Sequence, residues 1–212
     1  MKRVVFIAIV GLLAVSMTAQ NEEARRILDK TSDTFYLNKG IKTEFAINIT
    51  KGGQPIGSTE GSLQLKGNKF LLQTEEVISW FNGETQWSYL TGSEEVNISN
   101  PTEEELQSIN PYALLSIYKE GYNIAPYKIQ KHNGKSVYNI AMTSDDKKKE
   151  ITRLVLFIET GTYHLQYIEV ELRDGTRNEV TITGYQTGLN LNDSLFSFDH
   201  KKYPDAEIID LR

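Results

Sequence analysis

The sequence predicts a mainly β, α+β fold built on one strongly curved antiparallel sheet, and three observations predict it. Roughly eleven short runs read as strands, most of them bounded by turns with Gly, Asn or Asp. Helical periodicity is confined to about three stretches. Successive runs are joined by turns too short to hold the crossover helix that parallel strands need, which excludes a doubly wound sheet. A sheet of that size must close, split into a sandwich or curl around something, because large twisted sheets are rarely stable when open.

The chain of 212 residues opens with Lys2-Arg3, an apolar run from Val4 to Met17 and a small residue, Ala19. This predicts a cleaved signal peptide over residues 1–19 and export. A membrane-spanning helix needs a longer apolar run. Residues 20–212 are expected to form a single domain, since no Pro-, Gly- or Ser-rich linker divides them. From Glu22 to Tyr36 the positions Ile27, Leu28, Thr31 and Phe35 make a helical stripe ending before Gly40. Phe45, Ile47 and Ile49 then alternate with polar residues, Gly52-Gly53 turns the chain, and Leu63 and Leu65 mark the returning strand. Lys66-Gly67-Asn68-Lys69 is the next turn and leads to Phe70, Leu71 and Leu72.

Between Val77 and Ile98 lies the most informative stretch. Asn82-Gly83 predicts a two-residue hairpin turn, which needs positive φ at both positions. The period of two puts Thr85, Trp87 and Tyr89 on one face of the second strand. On the first it separates Trp80 and Ile78 from Phe81 and Val77. Asn100-Pro101-x-Glu103 and Asn110-Pro111 are helix starts, predicting two short helices, the second carrying Leu114, Leu115 and Ile117. Strand patterns resume over 122–131, 137–143, 151–159, 163–172 and 180–185, with Asn133-Gly134 and Asp174-Gly175 as turns.

Composition narrows the function. The net charge is −5, and removing Lys2 and Arg3 takes away two positives and leaves −7. Such a surface argues against nucleic acid and against adhesion to anionic bilayers. There is no cysteine, so neither a disulfide nor acylation at a thiol is available. His132, His164 and His200 are scattered, not at metal-ligand spacing, and no nucleophile elbow, Walker loop or dinucleotide fingerprint occurs. Neither metal, cofactor nor enzymatic activity is expected. Glu103-Glu104-Glu105 begins a helix, where the macrodipole favours negative charge. Asp145 to Lys149 reads as a solvated hairpin tip.

The helix followed by Ile41-Lys42-Thr43-Glu44-Phe45, the strand start Gly61-Ser62-Leu63, the pattern N-G-x-T-x-W-x-Y from Asn82 to Tyr89, and Phe196-Ser197-Phe198 near the C-terminus occur in the order found in one family. By them the chain resembles LolA, the periplasmic carrier of lipoproteins between the two membranes of a Gram-negative envelope, over nearly its whole mature length. The resemblance implies an incomplete β-barrel with about three helices as lid or plug, whose concave side takes lipoprotein acyl chains. It implies a periplasmic location, an inner-membrane lipoprotein-release transporter and an outer-membrane acceptor as partners, and a monomer. The same half-barrel occurs in envelope-stress regulators that bind lipid, which is the alternative reading; those usually carry a second domain, and a chain of this length is expected to have no room for one.

The acyl-chain cavity is accordingly expected at Phe45, Ile47, Leu63, Leu65, Phe70, Leu72, Trp80, Trp87, Tyr89, Leu154, Leu156, Ile168 and Val170, with Leu114, Leu115 and Ile117 as the lid. Alternation marks an inward face and leaves open whether the interior is hollow or filled. In the family a basic residue soon after the Gly61-Ser62-Leu63 strand helps hold the lid. Here that stretch offers Lys66 and Lys69 and no arginine, and lysine lacks the bidentate fork. The lid is therefore expected to be held mainly by apolar contacts, with one of these lysines as the substitute.

Overall fold

The computed structural model describes residues 21–35, 40–102, 105–106 and 113–212; the expected signal peptide and the start at Asn110-Pro111 lie outside them. Residues 21–35 form helix α1. Its buried stripe is Ala24, Ile27, Leu28, Thr31 and Phe35, the i, i+3, i+4 face expected of a helix lying on a sheet. Thr31 is tolerated there because its hydroxyl donates to the Ile27 carbonyl at 2.8 Å.

Among the described residues thirteen strands follow, two more than expected: β1 (Ile41–Lys51), β2 (Gln54–Lys66), β3 (Lys69–Thr74), β4 (Val77–Phe81), β5 (Gln86–Leu90), β6 (Glu95–Ser99), β7 (Asn123–Ile124), β8 (Lys128–His132), β9 (Lys135–Thr143), β10 (Ile151–Glu159), β11 (Leu165–Leu172), β12 (Thr176–Thr187) and β13 (Glu207–Asp210). The run expected over 122–131 divides into β7 and β8, which lie one after the other along β9. All the strands belong to one open sheet ordered β13-β6-β5-β4-β3-β2-β1-β12-β11-β10-β9, with β7 and β8 at the far edge. Neighbours are antiparallel except β13, which pairs parallel to β6.

The sheet curls. β5 and β10 stand seven steps apart in this order, about 34 Å if flat at roughly 4.8 Å per strand, yet both line one cavity. Register shifts at Glu44/Phe45, Ile49/Thr50 and Phe157/Ile158 supply bends, because a bulge kinks its strand and raises its twist. The concave face carries the main core, covered by α1 and by a 3₁₀ segment, Ala113–Glu120. A second cluster sits on the convex face, where the chain after β12 runs back over Leu71 and Trp80 and buries Phe196.

Several local expectations change. Two helical segments cover the sheet among the described residues, not three. The helical start after β6 is capped by Thr102, whose hydroxyl accepts from the Glu105 N–H at 3.3 Å while the Glu105 carboxylate accepts from the Thr102 N–H at 2.7 Å. Asn100 instead accepts from the Thr85 hydroxyl. Asn82-Gly83 does not make a two-residue turn: Phe81 pairs with Gln86, and Asn82 Oδ1 closes a four-residue loop by accepting from the N–H groups of Glu84 and Thr85. Asn133-Gly134 does, with φ of 48° and 79° and His132 paired to Lys135. Phe196-Ser197-Phe198, which sits where the resembled family has a closing strand, is no strand; Phe196 ends a 3₁₀ turn and Phe198 follows it.

Candidate functional site

Alternation and register decide what faces inward. One concave row runs Leu63, Leu72, Ser79, Ser88, Asn97 across β2 to β6, and the next runs Leu65, Phe70, Phe81, Gln86, Ser99. The β12 side contributes Val180 opposite Ile47, and Val170 opposite Leu154 and Asn178. Where these faces are not filled by α1 a cavity of about 560 Å³ remains, inside the roughly 300–1,000 Å³ typical of ligand pockets. Its apolar wall includes Phe45, Ile47, Ile49, Leu72, Val77, Ile151, Val170, Leu172 and Val180, with Leu114 over it. Ser79, Gln86 and Ser88 make a polar strip on β4 and β5, and Glu150 is the one ionisable side chain among the described residues of the lining.

The cavity's shape depends on Gly61. It pairs with Phe45, and a Cβ there would stand 2.8 Å from Phe45 Cζ and 2.4 Å from the Gln73 carbonyl oxygen. The missing side chain lets the Phe45 ring lie against the β2 backbone, as part of the cavity wall.

Of the expected lining residues, the structure brings Phe45, Ile47, Leu72 and Val170 to the cavity, with Leu114 from the expected lid. Leu63, Leu65, Phe70, Leu154, Leu156 and Ile168 face the same way but are packed into the core, as are Leu115 and Ile117. Trp80, Trp87 and Tyr89 do not reach the cavity and are corrected to the convex face. There Trp80 meets Phe198 and Tyr203 edge-on at 5.5 and 5.6 Å, and Tyr89 lies 4.7 Å from Tyr203. The reason is parity: Phe70 pairs with Phe81 and Leu72 with Ser79, so Trp80 must point the opposite way.

The lysines are corrected too. Lys66 and Lys69 bind the two carboxylate oxygens of Asp193 at 2.7 and 2.8 Å, and Lys66 also donates to the Leu191 carbonyl. They clamp the C-terminal segment, not the lid, and hold the Asp193 carboxyl at about 2, below the ordinary carboxylate range. The lid segment has its own ties. Leu114, Leu115 and Ile117 are buried, the Tyr118 hydroxyl donates to Asp29 on α1, and the Tyr122 hydroxyl donates to the Ile151 carbonyl at 3.0 Å. Burial first, and the Asp29 carboxylate second, push the Tyr118 phenol well above its usual pKa, so it stays a donor. Apolar contacts are thus joined by two hydroxyl bonds that the sequence reading did not name.

Among the described residues no cluster of His, Asp and Glu could hold a metal ion. The arrangement offers binding of an apolar group beside a short polar strip.

Solved structures with this fold include an uncharacterized conserved protein from Thermus thermophilus (TM-score 0.61, 9% identity, 89% of this chain and 99% of that one). A DUF1329 family protein from Desulfovibrio piger is also similar (TM-score 0.50, 12% identity, 87% of this chain and 99% of that one). A LolA superfamily protein from Nitrosomonas europaea superposes less closely (TM-score 0.46, 12% identity, 84% and 98%). No curated protein sequence matches the chain. The profile of the family "Outer membrane lipoprotein carrier protein LolA" matches residues 15–176, most of the chain, and the protein therefore belongs to the LolA family.

Proposed function

We propose that the chain is a periplasmic carrier that shelters lipoprotein acyl chains in this cavity and moves lipoproteins from the inner to the outer membrane. The observation that carries the reading is the hollow itself: a mostly apolar space of about 560 Å³ that the protein's own side chains leave open beneath Leu114. At ~0.8 kcal/mol per buried methylene an acyl chain cannot leave a bilayer without such a shelter. A methylene takes roughly the volume of a water molecule, about 30 Å³, so the present volume houses one alkyl chain. Further chains require the lid segment to move outward. Transfer then needs no covalent chemistry, only partners that favour the opened, unloaded form: a release transporter in the inner membrane and an acceptor in the outer one.

The test is a spheroplast release assay. Newly acylated lipoproteins should stay on the inner membrane without the protein and appear in a soluble complex with it when it is added. Lipoproteins that remain membrane-bound at saturating protein, while lipid extracted from the natively purified protein is a free lipid, would replace the carrier by a lipid sensor.

A further inference from the structure

The polar strip in the cavity is a bonded group with capacity left over. Ser79 and Ser88 stand opposite each other across β4 and β5 with their hydroxyl oxygens 2.7 Å apart. Gln86 Nε2 donates to both, at 3.0 and 2.9 Å. Ser79 and Gln86 are 2% and 6% exposed. One hydroxyl proton is spent between the serines; the other has no acceptor among the described residues, and Gln86 Oε1 accepts no hydrogen bond there. A donor and an acceptor left unmatched at the wall of a mostly apolar space cost free energy unless something in that space pairs with them. Both border the cavity, whose lining among the described residues holds no lysine, arginine or histidine and one carboxylate, Glu150.

We propose that Ser79, Gln86 and Ser88 seat the uncharged linkage of a single-chain amphiphile, an amide or hydroxyl that both donates and accepts, while its alkyl chain lies along Phe45, Leu72 and Val180. The assignment rests on the acyl-shelter reading and narrows it. A carboxylate or phosphate headgroup finds no counter-charge among the described residues of the lining. The required chemistry is offered equally by a hydroxylated free lipid and by the amide of an N-acylated polypeptide.

Displacement of N-phenyl-1-naphthylamine from the cavity by four twelve-carbon ligands tests it: 1-monododecanoylglycerol, N-dodecanoyl-glycylserinamide, methyl dodecanoate and dodecanoate, at pH 8. The first two should displace the dye at about tenfold lower concentration than the methyl ester, the worth of one or two well-placed hydrogen bonds, and than dodecanoate. Whichever of the two is stronger, the seat stands and the order tells free lipid from acylated chain. In the triple variant S79V/Q86L/S88V the preference should vanish; if that variant does not fold, S88A should reduce the preference several-fold. Equal potency in the wild type, a preference surviving in the variants, or dodecanoate as strong as the glycerol ester overturns the seat alone. A dye that does not bind, with no ligand taken up, overturns the shelter reading as well.

Discussion

Gly61 and Phe45 show how a single position sets the cavity. With a Cβ only 2.8 Å from the Phe45 ring, Gly61→Ala must push that ring toward the hollow or the strands apart. We expect a loss of about 1–3 kcal/mol of stability from the crowding, together with weaker dye uptake, read by denaturant titration and N-phenyl-1-naphthylamine binding. Asp193 acts elsewhere, on the convex side. Its carboxyl is held at about 2 by Lys66 and then Lys69. A depressed folded-state pKa means that the clamp is fully present above the unfolded value, near 4, and is lost as pH falls toward 2. Amide protection in residues 189–198 should be level down to about pH 4 and drop below it. Asp193→Asn should show the dropped level at neutral pH, and protection unchanged by the substitution would refute the clamp.

The β4–β5 hairpin is an element with two jobs on two faces. Its concave face gives Ser79, Gln86 and Ser88 to the cavity, and its convex face gives Trp80, Trp87 and Tyr89 to the cluster under the C-terminal segment. Trp87→Ala should therefore leave dye affinity unchanged within about twofold while loosening the C-terminal segment, because the cavity side is untouched. A large loss of dye affinity in that variant would return Trp87 to the cavity. The face was legible in principle: the acidic turn Glu75-Glu76 pairs Gln73 with Ile78, and counting from it puts Phe81, not Trp80, beside Phe70. The two Asn-Gly dipeptides carry a related lesson. At Asn133-Gly134 both residues take positive φ, whereas at Asn82 the side chain bonds Glu84 and Thr85 and widens the loop.

At the scale of the whole molecule, the open sheet encloses a space that α1 does not fill. A ligand that occupies it stabilises the folded state by mass action, by about 2.7 kcal/mol at a hundredfold excess over Kd. In a chain of this size that raises Tm by on the order of 5–10 °C. We expect such a rise with 1-monododecanoylglycerol in a thermal scan, and no rise in a Leu114→Trp variant, whose indole would occupy the hollow. The lid ties predict rates. Tyr118→Phe removes the bond to Asp29 and should speed dye release several-fold in stopped flow, with little change in the folded core, because Leu115 and Ile117 still hold the segment down. An unchanged release rate would show that the segment does not gate the cavity.

By itself the sequence determined the helix stripe of α1, most strands, the antiparallel order and the family resemblance, because periodicity and turn chemistry are local and each is written within a few residues. It also named Phe45, Ile47, Leu72, Val170 and Leu114, inward positions of well-bounded strands and of the lid segment. Tertiary structure alone decided which inward residues are core and which line a hollow. Leu156 and Ile47 belong to the same concave row, but Leu156 is packed within the core while Ile47 borders empty space. It decided as well that β13 returns to β6 and that Lys66 and Lys69 meet Asp193, more than 120 residues away. Such pairings depend on how the whole sheet curves at its register shifts, which no local pattern encodes.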